Sequence, residues 1–306
     1  MNFRTEIQIK QSTEKVSHSQ KVLLLGSCFA QNMLVKFAEG GFDAMHPFGA
    51  IYNPYSVANS FKLIAEKISP EAESLFFQKD KWNSYAFHSN YSSTDKNEAI
   101  RLMSEAVNKA NAILNSENPI IIVTLGTSWV YELNETGEIV ANCHHSAASS
   151  FTRRAMSVEE IIQILKPICQ TGKRVIFTVS PVRHLKDGAH ENQLSKSRLL
   201  LAVDKLVSEH ENCEYFPSYE IVLDELRDYR FFAEDMAHPT ALAVDYIWER
   251  FSNTYFSSKT IEGIKEYEKI VKTEKHRPSN PDSEQYLSLL EKVKNDKENW
   301  NKKYKN

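Results

Sequence analysis

The stretch Lys21-Val22-Leu23-Leu24-Leu25-Gly26-Ser27-Cys28-Phe29-Ala30 decides the fold class. Its apolar run has no polar alternation, which suits a strand covered on both faces, and strands of that kind belong to parallel sheets. Gly26 ends the run, and Gln31 to Glu39 then carries Met33, Leu34 and Phe37 on one helical side, so the segment reads as strand, tight turn and helix. Similar short runs recur at Phe42 to Met45, Ile120 to Leu125, Arg174 to Val179 and Cys213 to Phe216. Between them Ile100, Met103, Val107, Ala110, Ile113 and Leu114 repeat at helical spacing. Ser157 with Glu160 forms a capping box before Ile161, Ile164, Leu165 and Ile168, and Gly172 closes that helix. Strands alternating with helices predict a three-layer α/β/α domain around about five parallel strands.

The composition fits this reading. The 306 residues are 42% apolar and 25% charged, the balance of a globular chain and not of a disordered or fibrous one. A single α/β domain of roughly 200 to 250 residues leaves a remainder. That remainder begins at Asn253, where 12 basic and 9 acidic residues crowd into 54 positions, with a break at Arg277-Pro278-Ser279-Asn280-Pro281. The chain therefore divides into an α/β domain over 1–252 and a charged helical extension over 253–306, whose ordinary role is a solvated helical face. A net charge of -3 supplies no field for phosphates or anionic lipid, which argues against nucleic acid or a membrane as partner. The four cysteines are widely spaced with no CxxC pair, so no disulfide framework is expected. No apolar stretch approaches the ~20 residues of a membrane span or forms a leader in Met1 to Gln20, and a cytoplasmic protein is expected.

Ligands of open α/β sheets bind at the carboxyl ends of the strands. At the first such end, Ser27 or Cys28 stands where a helix N-terminus favours an anionic nucleophile, although a plain tight turn would look the same. At the far end of the domain, Asp235-Met236-Ala237-His238-Pro239 precedes a helix containing Ala241, Val244, Ile247, Trp248 and Phe251. In Asp-x-x-His a carboxylate can orient an imidazole that serves a nucleophile, whereas an isolated His before Pro is ordinarily a capping or surface residue.

A Ser or Cys after the first strand, paired with Asp-x-x-His before the last helix, resembles the layout of the SGNH hydrolase superfamily. Six segments together resemble the GSCFA family more closely, over about Val22 to Trp248: Gly26 to Ala30, His46-Pro47-Phe48-Gly49-Ala50-Ile51-Tyr52-Asn53-Pro54, Leu125 to Tyr131, Ala141 to His144, Ser180 to His184 and Asp235 to Pro239. The SGNH resemblance implies a flavodoxin-like fold and an esterase acting on small acyl esters, with acetyl esters of carbohydrates as one substrate class. Acyl transfer onto a glycan or another acceptor, or ligand binding without catalysis, are the alternatives. The resemblance also implies His238 as general base and Asp235 as its orienter. Gly49 falls where the superfamily has an oxyanion-hole glycine. The chain departs from the superfamily pattern twice. Aligned on Gly26 the nucleophile is Cys28, and shifted by one residue it is Ser27. In Gly126-Thr127-Ser128 the usual oxyanion Asn is replaced by Ser128, which leaves Asn53 or Asn142 to supply a carboxamide.

Three further groups invite a role in substrate binding. Asn142-Cys143-His144-His145 gathers potential ligands, but neighbours on an extended loop point apart and no metal spacing is present, so His144 is read as a substrate-binding or structural residue and no metal is expected. After the fourth strand, Arg183, His184, His190 and Asn192 could hold a polyol or an anion. Trp129 and Tyr131 could form an aromatic wall, and Cys169 and Cys213 read as small buried hydrophobes. The residues imply no organic cofactor.

Overall fold

The structure is a computed structural model that describes residues 4–276 and 283–305, so the sequence break at 277–281 lies outside the described residues. In chain order it runs β1 (Val22–Gly26), α1 (Cys28–Glu39), β2 (Ala44–Met45), α2 (Pro54–Ala65), a hairpin of β3 (Phe76–Gln78) and β4 (Lys81–Asn83), and α3 (Lys96–Leu114). Next come β5 (Ile120–Leu125), β6 (Trp129–Leu133), β7 (Ile139–Val140), β8 (Phe151–Ala155), α4 (Val158–Cys169), β9 (Arg174–Val179), α5 (Gly188–Glu209) and β10 (Cys213–Tyr215). A single turn, α6 (Ser218–Glu220), leads to α7 (Ala241–Tyr255), α8 (Ser258–Glu274) and α9 (Glu284–Tyr304).

Five strands form one parallel sheet in the order β10-β9-β5-β1-β2. Numbered within the sheet this is 2-1-3-4-5, the flavodoxin-like arrangement, whose switch point falls between β1 and β5. The apolar runs are continuous because both faces are covered. Leu23, Leu25, Ile121, Val123 and Phe177 pack under α2, α3, α4 and α5, whereas Val22, Leu24, Ile120, Ile122 and Ile176 pack under α1, α7 and Ile264 of α8.

Two boundaries differ from the sequence pattern. Helix α1 starts at Cys28, three residues before the run at Gln31, because Ser27 caps it: its Oγ accepts the Phe29 N–H at 3.3 Å. Strand β2 contributes only Ala44 and Met45, since Phe42 turns into the apolar layer against Phe37 and Phe256. The Ser157–Glu160 capping box is formed from both sides, at 3.1 and 2.7 Å. The antiparallel sheet β7-β6-β8 is an insertion at the carboxyl end of β5.

Helix α7 runs through positions 252 and 253 without interruption. The last two helices then close over the far end of α1. Trp300 donates its indole N–H to the Gly263 carbonyl at 2.8 Å and lies so close to Gly41 that a Cβ there would stand 2.5 Å from the ring. His18 sits between Phe42 and Trp300, buried, with its Nε2–H given to the Gly40 carbonyl at 3.0 Å. Burial lowers its pKa to about 4.

Candidate active site

The turn after β1 is dictated by crowding against β5. Gly26 has φ +129°, and a Cβ on it would lie 2.0 Å from the Thr124 carbonyl oxygen. Only glycine fits this approach. Ser27 continues the contact, donating its N–H to Thr124 O at 3.0 Å, and its side chain is fully buried beneath the first turn of α1. The next residue, Cys28, is the one that emerges, half-buried, at the carboxyl edge of the sheet.

There it meets the turn before α7. Cys28 Sγ lies 3.5 Å from His238 Nε2, and His238 Nδ1 lies 2.6 Å from Asp235 Oδ2. The other carboxylate oxygen, Oδ1, accepts the N–H groups of Ala237 and His238, each at 2.9 Å. This turn is tight enough to put Met236 at φ +55°, and Thr240 then caps α7 through the Ala243 N–H. Two backbone N–H groups and the imidazole hold the Asp235 carboxyl down to about 2. With Asp235 ionised, Nδ1 carries the ring proton and Nε2 presents its lone pair to the thiol. Both side chains are open to solvent, His238 at 48% and Asp235 at 52% exposure.

Burial pushes the Cys28 thiol above its usual range. Its own N–H, the Lys196 charge and the Phe29 N–H act in the opposite direction, and Asp235 adds to the rise. The sulfur is thus a protonated thiol at neutral pH, and a base is needed to make it a nucleophile.

The segment from His46 to Asn53 wraps this turn. Ile51 N–H donates to Gly26 O at 2.8 Å, and the buried His46 ring reaches the same carbonyl through Nε2 at 3.2 Å. Burial lowers the pKa of His46 to about 4, so the ring is neutral. Its Nδ1, 3.2 Å from the Gln31 carboxamide, then requires the NH2 end of Gln31 as donor. Gly49, at φ +69°, packs where a Cβ would stand 2.5 Å from His88 Cβ, and its N–H donates to no acceptor among the described residues. Asn53 caps α2 through Oδ1, which accepts the Ser56 N–H at 2.8 Å, and leaves its NH2 group without an acceptor there.

Of the sequence-derived oxyanion candidates, Gly126 and Ser128 have their N–H groups committed to internal bonds, and Asn142 lies elsewhere. Gly126 donates its N–H to Tyr52 O at 2.8 Å, and its carbonyl accepts Lys196 Nζ at 2.6 Å, so it has no donor to offer. Its missing side chain serves the approach of Tyr52, whose carbonyl oxygen would be 3.0 Å from a Cβ. Ser128 is fully buried and gives its N–H to Ser195 Oγ at 2.8 Å. Asn142 accepts the His144 N–H through Oδ1 at 2.9 Å, and it lines a separate cavity beside His144. The Gly49 N–H and the Asn53 NH2 group are the candidates left without an acceptor among the described residues in the segment that wraps the Gly26 turn.

The proposed binding residues divide in the same way. Arg183 is tied to the Asp-x-x-His turn by its N–H to Ala237 O at 3.1 Å, and its guanidinium has no acidic partner among the described residues. His184 packs edge-on to Tyr52 at 5.5 Å, and burial lowers its pKa to about 4. Asn192 is a brace, its buried Oδ1 accepting the His184 N–H at 3.0 Å. His190 is exposed on the first turn of α5 and bonds to none of these groups. His144 is spoken for elsewhere, with Nε2 at 2.8 Å from Ser84 O and 3.0 Å from Phe87 O, beside a polar cavity of about 560 Å3 lined by Lys79, Asn90 and Cys143. Trp129 and Tyr131 are not a free wall either: the Arg153 guanidinium lies over both rings, 4.3 and 5.3 Å from their centres, and is held by a bidentate ion pair with Asp187. A cavity of about 1050 Å3 opens at the opposite, amino end of the sheet, among Gln20, Asn118, Arg174 and Asn212.

Residues 21–251 match the profile of the GSCFA family. The chain belongs to the GSCFA family. The match spans the whole parallel sheet, the Gly26–Ala30 turn and the Asp-x-x-His turn, and it ends inside α7. A search of curated proteins finds no match. Two residues that sequence reasoning left unassigned hold this GSCFA site together: His46, which was visible only as part of a motif, and Lys196, which lies on α5 between Ser195 and Ser197 with no sequence signal to mark it as buried.

Proposed function

We propose that this GSCFA protein transfers acyl groups from small esters through a thioester on Cys28. The carrying observation is the chain of contacts from Cys28 Sγ to His238 Nε2 at 3.5 Å and from His238 Nδ1 to Asp235 Oδ2 at 2.6 Å. His238 Nε2 takes the thiol proton as Sγ attacks the ester carbonyl carbon. The resulting oxyanion is stabilised by the Gly49 N–H and the Asn53 carboxamide. When the tetrahedral intermediate collapses, His238 returns the proton to the departing alkoxide, leaving the acyl group on sulfur. Water or an acceptor hydroxyl then gives its proton to His238 and attacks the thioester, and the thiolate leaves and is reprotonated. A carbohydrate suits the role of donor or acceptor because the exposed rim is polar. The four unpaired cysteines suit a reducing compartment, which supports a cytoplasmic location, and no described helix is long and apolar enough to cross a membrane.

The test is p-nitrophenyl acetate turnover by wild type, Ser27→Ala, Cys28→Ala and His238→Ala, with mass spectrometry of the trapped acyl-enzyme. The expected result is an acetylated Cys28 peptide and loss of turnover in the Cys28 and His238 variants, with Ser27→Ala close to wild type. Equal rates in all four would instead favour the noncatalytic ligand-binding reading, whose motive is the commitment of the Gly126 and Ser128 N–H groups to internal bonds.

A further inference from the structure

Lys196 is 1% exposed, in the middle of α5, and no carboxylate among the described residues pairs with it. Instead its ammonium donates to two main-chain carbonyls, Gly126 O at 2.6 Å and Ser180 O at 2.7 Å, and stands 5.5 Å from the centre of the Tyr219 ring. Those carbonyls belong to the first residues after β5 and after β9, the adjacent strand ends on which the site is built. Ser180 N–H in turn donates to Leu125 O, and the Gly26–Ser27 turn rests on Thr124, so the lysine fastens the platform that carries Cys28. A buried lysine is costly, and an apolar residue or a hydroxyl could fill an equivalent volume without that cost.

We propose that Lys196 is a positioning residue of the thiol site, joining the ends of β5 and β9 beneath Cys28 and supplying the positive field in which the Cys28 thiolate forms. Around the lysine are Cys28 at the start of α1, Arg183 and His184 after β9, and Tyr219 on α6. Around the thiol are Lys196, His238, Asp235 and Tyr52. Burial, opposed by the attraction of Cys28, lowers the lysine to about 7. The inference rests on the thiol reading of the site.

The experiment is the pH profile of Cys28 alkylation by iodoacetamide, read peptide by peptide, in wild type, Lys196→Gln and Lys196→Met, with the melting temperature of each. Lys196→Gln keeps one donor for the carbonyls and removes the charge. The expected result is a midpoint raised by about one pH unit in both variants and alkylation near neutrality slowed about tenfold, with melting lowered more in Lys196→Met than in Lys196→Gln. Lower melting with an unmoved midpoint would assign Lys196 a packing role alone and overturn the proposal. If Lys196→Met does not fold, the Lys196→Gln profile decides by itself. Alkylation needs no ester substrate, so absence of turnover in wild type would refute the acyl-transfer reading while leaving this result to stand or fall separately.

Discussion

Replacing Asp235 by Asn tests the geometry of the His238 turn more sharply than deleting the side chain. Oδ1 of Asp235 is fixed by two backbone N–H groups at 2.9 Å, so an Asn carboxamide must keep its oxygen there and turn its NH2 toward His238 Nδ1. Donor would then face donor unless the imidazole moves its proton to Nε2, the nitrogen that faces Cys28 Sγ at 3.5 Å. The base would be lost, and general-base assistance is worth about 10² to 10⁴ in rate. Asp235→Ala removes the orienting bond without imposing the wrong tautomer. A hydrogen bond to a charged group contributes about 1.5 to 3 kcal/mol, which converts to a loss of roughly 10- to 150-fold. Asn is therefore expected to be the more damaging substitution, although it is closer in shape. The assay is single-turnover acetylation of Cys28 by p-nitrophenyl acetate, followed by mass spectrometry, with circular dichroism to establish that each variant is folded. Wild-type acetylation in folded Asp235→Asn, or a slower rate in Asp235→Ala than in Asp235→Asn, would refute the assignment of proton positions.

Other consequences are open to measurement. Ser27→Ala removes the cap of α1 and is expected to cost about 1 kcal/mol in urea unfolding while leaving Cys28 alkylation within about twofold of wild type, because among the described residues the hydroxyl bonds only to the Phe29 N–H. Trp300→Ala should lower stability by about 3 kcal/mol or more through lost packing on Gly41 and Gly263, with no change in alkylation, since the indole sits at the end of α1 remote from Cys28. His18 and His46 titrate at about 4 when folded and near the ordinary imidazole value when unfolded. The unfolded chain therefore binds more protons between about pH 6.5 and 4, so stability is full above that window and falls with pH through it, by up to about 3 kcal/mol for each ring. Urea unfolding at several pH values should show this slope reduced in His18→Gln, and an identical slope would exclude the buried neutral ring as its source.

The sheet was legible because its central strands are mostly continuous apolar runs, the pattern of strands covered on both faces. The helices gave themselves away less evenly. Capping chemistry marked the start of α4, but α1 begins at a cysteine and a phenylalanine that look like turn residues until Ser27 is seen beneath them. The placement of Cys28 and His238 at one sheet edge followed from topology, since β1 is central and the Asp-x-x-His turn precedes the last helix of the layer. Which of Ser27 and Cys28 faces the imidazole did not follow. That depends on a one-residue rotation set by the contact between Gly26 and Thr124, a tertiary fact with no local sequence mark. Gly126 and Ser128 misled for a related reason: a glycine at an active edge can serve a close backbone neighbour as readily as an oxyanion, and only Tyr52 decides between them. Lys196 was invisible because its partners are carbonyl groups, which every residue has.

On the proposed acyl-transfer reading, the half-exposed Asp235–His238 pair bears on the fate of the acyl group that Cys28 would carry. A thioester formed at so open an edge is bathed in solvent, and bulk water competes with any bound acceptor from the first instant. Partitioning toward transfer then depends on residence: an acceptor must lie over the imidazole long enough to exclude water and present its hydroxyl at high effective molarity. A small alcohol cannot do this, whereas a chain of several sugar units spanning the rim beside Arg183 could. The size of the acceptor, more than the chemistry of the thiol, would then decide whether the protein hydrolyses or transfers.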